Sequence, residues 1–76
     1  MRVRVDIELD PDSETTRYKV RATAPDGRLI YYTGKYGDVD ICDHLFREAV
    51  EHLRALGYSP PDHYWIKTYP TRPARN

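Results

Sequence analysis

Apolar residues recur at helical spacing in one stretch of the chain, between Asp40 and Leu56. They form a single stripe, and charged residues occupy the opposite side. The apolar stripe consists of Ile41, Leu45, Ala49, Leu53 and Leu56. Gly57 follows directly, and glycine is common just after the end of a helix. The pattern predicts one amphipathic helix over residues 40–56, with Asp38 or Asp40 as its N-cap because a carboxylate can accept the first amide protons.

Elsewhere the pattern is that of strands separated by turns. Apolar and charged residues alternate with a period of two at the start of the chain, which indicates a half-buried strand. Pro25-Asp26-Gly27 is a hairpin turn motif, and Gly34-Lys35-Tyr36-Gly37 is expected to be a loop leading into the helix. The four predicted strands are Val3–Leu9, Thr16–Ala24, Arg28–Thr33 and His63–Tyr69.

The charge pattern favours an antiparallel meander of the first three strands. A pairing of Leu9 with Thr16 brings acidic residues of the first strand opposite basic residues of the second, which stabilises such a pair. A three-residue loop at 25–27 then places Arg21 opposite Tyr31. The predicted fold is a single small α+β domain of order β-β-β-α-β. It contains a three-stranded antiparallel meander, a C-terminal strand and one helix packed on one face.

Length and composition limit the classes of protein that the chain can belong to. The 76 residues make one small domain, predicted to span 1–70 and to end in a flexible basic tail at 71–76. A core this small usually needs a disulfide, a metal or a partner, and Cys42 is the only cysteine. The sequence has no apolar run of membrane-spanning length and no signal-peptide pattern, so a cytoplasmic location and no membrane partner are expected.

Acidic residues are predicted to gather at one end of the fold, where the first turn meets the start of the helix. Twelve basic and twelve acidic residues give zero net charge, which argues against broad non-specific nucleic-acid binding. Recognition must therefore depend on how the charges are distributed. The predicted acidic end consists of Asp10, Asp12, Glu14, Asp38, Asp40 and Asp43. It is either ordinary turn and capping chemistry or a contact surface for a basic partner.

A second candidate surface is the sheet face turned away from the helix. The predicted register places basic and aromatic side chains there: Arg4, Arg21, Tyr31 and, in one of two parities of the last strand, Lys67 and Trp65. The other parity buries Trp65 under the helix. Aromatic residues interleaved with basic ones on an open sheet are typical of single-stranded nucleic-acid binding. An exposed apolar patch on this face would equally serve to form a homodimer.

No catalytic, cofactor-binding or metal-binding motif is recognisable in the sequence. Asp40 and His44 are four residues apart on the helix, but no further ligand follows at a metal-binding spacing. Cys42 belongs to the apolar face, where a thiol is usually inert packing. Gly34 and Gly37 precede the helix, yet the lysine and hydroxyl residue that end a phosphate loop are missing. We therefore expect no cofactor, no metal and no enzymatic activity.

The segment Tyr18–Leu53 resembles the later half of a double-stranded RNA-binding domain in its order of strand, turn, strand, glycine-containing segment and helix. That family has a basic helix start, whereas this chain has Asp38, Asp40 and Asp43 there. The order is also similar to that of small phage-encoded inhibitors and antitoxin-type domains, but architecture alone does not determine function. The preferred hypothesis is a small non-enzymatic protein-binding module, such as an inhibitor, a regulator or an assembly subunit. The alternatives are a nucleic-acid binder and a structural homodimer.

Overall fold

The computed structural model describes residues 3–11 and 14–68 and shows four strands and one helix in the predicted order. Their bounds are Arg4–Pro11 for β1, Thr16–Thr23 for β2, Leu29–Gly37 for β3, Cys42–Ala55 for α1 and Trp65–Thr68 for β4. The strands form one sheet of order β3-β2-β1-β4, in which β4 runs parallel to β1 and the other neighbours are antiparallel. This confirms the predicted α+β fold. Asp12 and the predicted tail at 71–76 lie outside the described residues.

The core lies between the helix-facing side of the sheet and the apolar stripe of α1. Alternate residues of β1 and β2 point into it because side chains on a strand change face at every position. The buried core comprises Val3, Val5, Ile7, Tyr18, Val20, Ala22, Cys42, Leu45, Ala49 and Leu53. Within the described part of the chain, no helix is both long enough and apolar enough to cross a membrane.

The helix ends one residue before its predicted end, at the expected Gly57 stop, and begins two residues after its predicted start. The Gly57 amide donates to the Arg54 carbonyl at 3.0 Å, and the Tyr58 amide donates to the Leu53 carbonyl at 2.9 Å. This pair of bonds is a Schellman motif, and it requires the positive φ of +90° that Gly57 adopts. At the other end Ile41 is the N-cap and makes no side-chain cap, while the Asp40 carboxylate accepts the Cys42 amide at 2.9 Å. The carboxylate therefore satisfies a helical amide from one position before the cap.

The β1–β2 register differs by two residues from the predicted one. Leu9 lies opposite Tyr18 rather than Thr16, because the ladder continues to the pair Pro11–Thr16 and leaves a shorter turn. A shift of two keeps every side chain on its predicted face. Acidic residues still oppose basic ones, now with Glu8 opposite Lys19.

The third strand is longer than predicted, and its pairing with β2 is shifted by one residue from the predicted register. The segment 34–37, expected to be a loop, continues the ladder to Gly37 opposite Thr16. A bulge occurs where Ala22 pairs with Tyr31 and Thr23 pairs with Leu29, so that Ile30 has no partner of its own. Both Ile30 and Tyr31 consequently pack against the core.

The last strand begins two residues later than predicted, at Trp65, and lies beyond the cover of the helix. Helix α1 packs over β1, β2 and β3. Ile66 pairs with the buried Ile7, yet its side chain is 55% exposed because no helix covers this edge. Trp65 pairs with Asp6, which assigns the tryptophan to the open face. Of the two parities that the sequence allowed, the structure has the one in which Trp65 is exposed.

Candidate functional site

The sheet register brings five of the six predicted acidic residues to one end of the molecule. Pro11, Thr16 and Gly37 lie in one row across β1, β2 and β3, and α1 starts just beyond this row. Asp10 and Glu14 flank the first turn at this end, and the loop 38–41 leads from β3 to α1. We refer to Asp10, Glu14, Asp38, Asp40 and Asp43 as the acidic end. Asp12 belongs to the same turn but lies outside the described residues.

The loop 38–41 is fixed by a hydrogen bond from the core. The buried Tyr18 hydroxyl donates to the Val39 carbonyl at 3.0 Å, which ties the middle of the loop to β2. The Asp40 carboxylate accepts the Cys42 amide, and this hydrogen bond is the main reason why the pKa of Asp40 is lowered. The two bonds hold the backbone on both sides of Asp40, so the loop is preorganised.

Close packing at Gly37 also restrains the loop. A Cβ atom at this position would lie 3.1 Å from Ile41 Cδ1, 3.3 Å from Tyr18 Cε1 and 3.3 Å from the Val39 carbonyl oxygen. Such distances are shorter than ordinary van der Waals contacts, so the loop folds against a position that suits glycine best. The Val39 side chain is not part of this close packing around Gly37. It is 66% exposed and lies between the exposed Asp38 and Asp40.

The carboxylates of the acidic end differ in whether they already bind another side chain of the protein. Asp10 lies 3.6 Å from the Arg17 guanidinium, and Asp43 accepts the Tyr64 hydroxyl at 2.8 Å. Burial, followed by this bond to Asp43, raises the pKa of Tyr64 to about 12. Among residues 3–11 and 14–68, no hydrogen bond or ion pair engages the side chain of Glu14 or Asp38. These two carboxylates can therefore meet a partner without losing an internal contact in that part of the chain.

The open sheet face combines basic and aromatic residues, as expected, but acidic residues lie between them. The Arg4 guanidinium stands 5.0 Å from the centre of the Trp65 ring and also bonds Asp6 at 3.0 Å. The Arg21 guanidinium forms an ion pair with Glu8. Lys67 lies opposite Glu8 in the ladder. The carboxylates compensate much of the positive charge that a phosphate backbone would need.

The placement of Tyr31 on the open face was wrong, and Tyr32 takes the predicted position. The bulge at Ile30 moves Tyr32 opposite Arg21, whose guanidinium lies 5.7 Å from the tyrosine ring centre. Tyr31 instead stacks on His52 of α1 with ring centres 4.7 Å apart. Its pKa is raised by burial and then by the charge of Glu48. No local sequence signal announces a bulge, so sequence reasoning missed Tyr32.

A groove of about 670 Å³ runs between the outer strand β3 and α1. Strand residues form one side and polar helix residues form the other. Its lining includes Tyr31, Thr33, Lys35, Glu48, Glu51 and His52. The groove contains both signs of charge, and His44 and Glu48 make a contact of 3.2 Å along its helical wall.

Two observations concern the cysteine and the possible metal ligands among the described residues. Burial, followed by a hydrogen bond with Asp40, raises the pKa of the Cys42 thiol to about 11, so its reactive thiolate form is scarce at neutral pH. No group of three or more His, Cys, Asp or Glu side chains that could hold a metal ion occurs in this part of the chain.

A comparison of the chain with models of protein families, with curated proteins and with solved structures finds no match.

Proposed function

We propose that the chain is a cytoplasmic, non-enzymatic protein-binding module that uses the acidic end as its contact surface. The observation that supports this proposal is the preorganised loop 38–41, which presents Val39 between Asp38 and Asp40. Val39 is one of several exposed apolar residues, and its fixed backbone between two carboxylates suits it to a role as an anchor. The class includes inhibitors, regulators and assembly subunits.

The arrangement places one apolar side chain among charged ones, which is the layout of a binding surface with an apolar centre and a polar rim. A loop that is already ordered costs less entropy on binding than a mobile one. Carboxylates around the anchor accelerate the approach of a basic partner and select against acidic ones. The expected partner is a protein with a shallow apolar pocket ringed by Lys or Arg.

The proposal is tested by affinity capture followed by binding measurements with purified partners. Val39→Ala removes the anchor and Asp38→Asn removes a charge, while neither side chain contacts the core. Leu56→Ala is the matched control for the anchor, since Leu56 is 59% exposed at the far end of α1. Asp26→Asn is the matched control for the charge, because asparagine can still accept the Arg28 amide that Asp26 binds at 3.0 Å.

We expect both test variants to weaken binding to the same partner, and both control variants to bind it as the unmodified protein does. Val39→Ala removes two carbons from the interface and should cost about 1–2 kcal/mol of binding free energy, whereas losing one rim charge mainly slows association and reduces its salt dependence. Equal capture of every partner by the Val39→Ala and Asp38→Asn variants would contradict the proposal.

A nucleic-acid-binding function is the second candidate. It is favoured by Trp65, which is 51% exposed on the open face with Arg4 beside its ring. Fluorescence anisotropy with a labelled single-stranded oligonucleotide at low salt tests it directly. Binding that decreases with salt and is lost in Trp65→Ala would support this candidate, and no binding at low salt would eliminate it.

A further inference from the structure

Strand β3 has a long outer edge, protected against pairing by the bulge at Ile30 near its start and by Lys35 on its helix-facing side. It contains 9 residues and lies at one side of the sheet, whereas the opposite outer strand β4 has 4 within the described part of the chain. Natural edges are commonly blocked by proline, by bulges or by inward-pointing charges. Beyond the bulge at Ile30, the regular stretch Tyr31–Gly37 has no proline and one charged residue, Lys35. Such an edge is a template for an added strand.

We propose that this edge pairs with the same edge of a second copy of the chain. The two β3 strands run antiparallel about a two-fold axis at Gly34, the midpoint of the regular stretch Tyr31–Gly37. With the axis at Gly34, every residue of the stretch in one copy pairs with a residue of the same stretch in the other copy. No other position of the axis gives as many backbone pairs. The result is a continuous eight-stranded sheet with both helices on one face, formed by a self-complementary interface. It uses a different surface from the acidic end and does not depend on it.

Pairing about Gly34 covers the aromatic residues that the single chain leaves exposed on β3. Tyr32 lies opposite the partner's Tyr36, and the same contact repeats on the other side of the axis. Tyr32 is 49% exposed and Tyr36 is 71% exposed in the single chain. Cross-strand aromatic pairs stabilise antiparallel ladders. The two central glycines have no side chains, which leaves room for the rings on either side of the axis.

On the helix side the same register places Thr33 of each copy opposite Lys35 of the other. The partner's ammonium group then lies at the mouth of a groove that Lys35 and Arg47 of the first copy line together with Glu48 and Glu51. The contact occurs twice because the axis is two-fold. The self-complementary match of Tyr32 with the partner's Tyr36 on the open face, and not the mixed charges of the groove, favours a second copy over an unrelated extended segment.

Sedimentation velocity over a range of protein concentrations tests the proposal, with circular dichroism to confirm folding. Thr33→Lys places a lysine opposite the partner's Lys35, whereas Thr33→Glu places a carboxylate there. Both substitutions replace a β-branched residue on the same strand, so the difference between them reports on pairing rather than on strand propensity. Thr68→Lys is the matched control, because Thr68 is an exposed threonine on the opposite outer strand.

We expect a concentration-dependent dimer in the unmodified protein. The dissociation constant should be about tenfold or more higher for Thr33→Lys than for Thr33→Glu, and close to the original for Thr68→Lys. A monomer at every concentration would overturn the proposal. Equal weakening by both Thr33 variants, or weakening by Thr68→Lys, would overturn it as well. Val39→Ala should leave the dimer intact, which separates this test from that of the acidic end.

Discussion

Gly37→Ala should destabilise the protein, although glycine to alanine in a strand usually does the opposite. Gly37 has no positive φ, so its backbone conformation permits alanine. The added methyl group would meet Ile41 Cδ1 at 3.1 Å, with Tyr18 Cε1 and the Val39 carbonyl oxygen both at 3.3 Å. Ile41 can move, but the Tyr18 ring is buried and its hydroxyl is bound to the same Val39 carbonyl. The three neighbouring groups cannot all move away from the added methyl group at once.

Gly34→Ala on the same strand is the matched control. There the added methyl group would lie 3.8 Å from the Tyr18 carbonyl oxygen, an ordinary contact. Alanine restricts the unfolded chain and should raise the free energy of unfolding by about 0.4–1 kcal/mol. At Gly37 this gain is opposed by an overpacking cost of about 1–3 kcal/mol, which leaves a net loss centred on about 1.3 kcal/mol and at most about 2.6 kcal/mol. The two variants should therefore differ by about 2 kcal/mol.

Urea unfolding followed by circular dichroism measures this difference. The series is repeated at several protein concentrations so that pairing of β3 edges does not contribute. In a domain of this size a difference of about 2 kcal/mol corresponds to roughly 8–16 °C in Tm. If Gly37→Ala proved as stable as Gly34→Ala, the loop 38–41 would not be held against the strand in solution.

Three further predictions concern the same region. Tyr18→Phe removes the hydrogen bond to the Val39 carbonyl and should cost about 1 kcal/mol of unfolding free energy, whereas the control Tyr36→Phe should be near neutral. Equal effects of the two substitutions in urea unfolding would contradict the role of this bond. The lowered pKa of Asp40 means that its stabilising effect is present above the ordinary carboxyl pKa and is lost as pH falls through its lowered value. The stability difference between the unmodified protein and Asp40→Ala should thus shrink in acid, and a difference that grows below pH 4 would refute this reasoning. Buried Cys42, with its pKa of about 11, should react with a thiol reagent far more slowly in the native protein than in urea, and equal rates would show that the start of the helix is open.

Much of the fold follows from local patterns in the sequence. The helix is recognisable because one face of a 3.6-residue period repeats over several turns, and its end because a Schellman motif needs only nearby residues around Gly57. The alternation in β1 and β2 determines which side chains face the core. An error of two residues in their pairing does not change that assignment, and opposite charges still meet.

The surfaces depended on contacts between distant segments. The bulge at Ile30 exchanged Tyr31 for Tyr32 on the open face, because a single unpaired residue reverses the alternation beyond it. The exposure of Trp65 followed from which residue of β1 it pairs with. The fixed loop around Val39 required a hydroxyl from Tyr18, which lies 21 residues away in the chain. Sequence periodicity specifies which face of an element is apolar, but registers, bulges and loop contacts are selected only when the elements pack together in three dimensions.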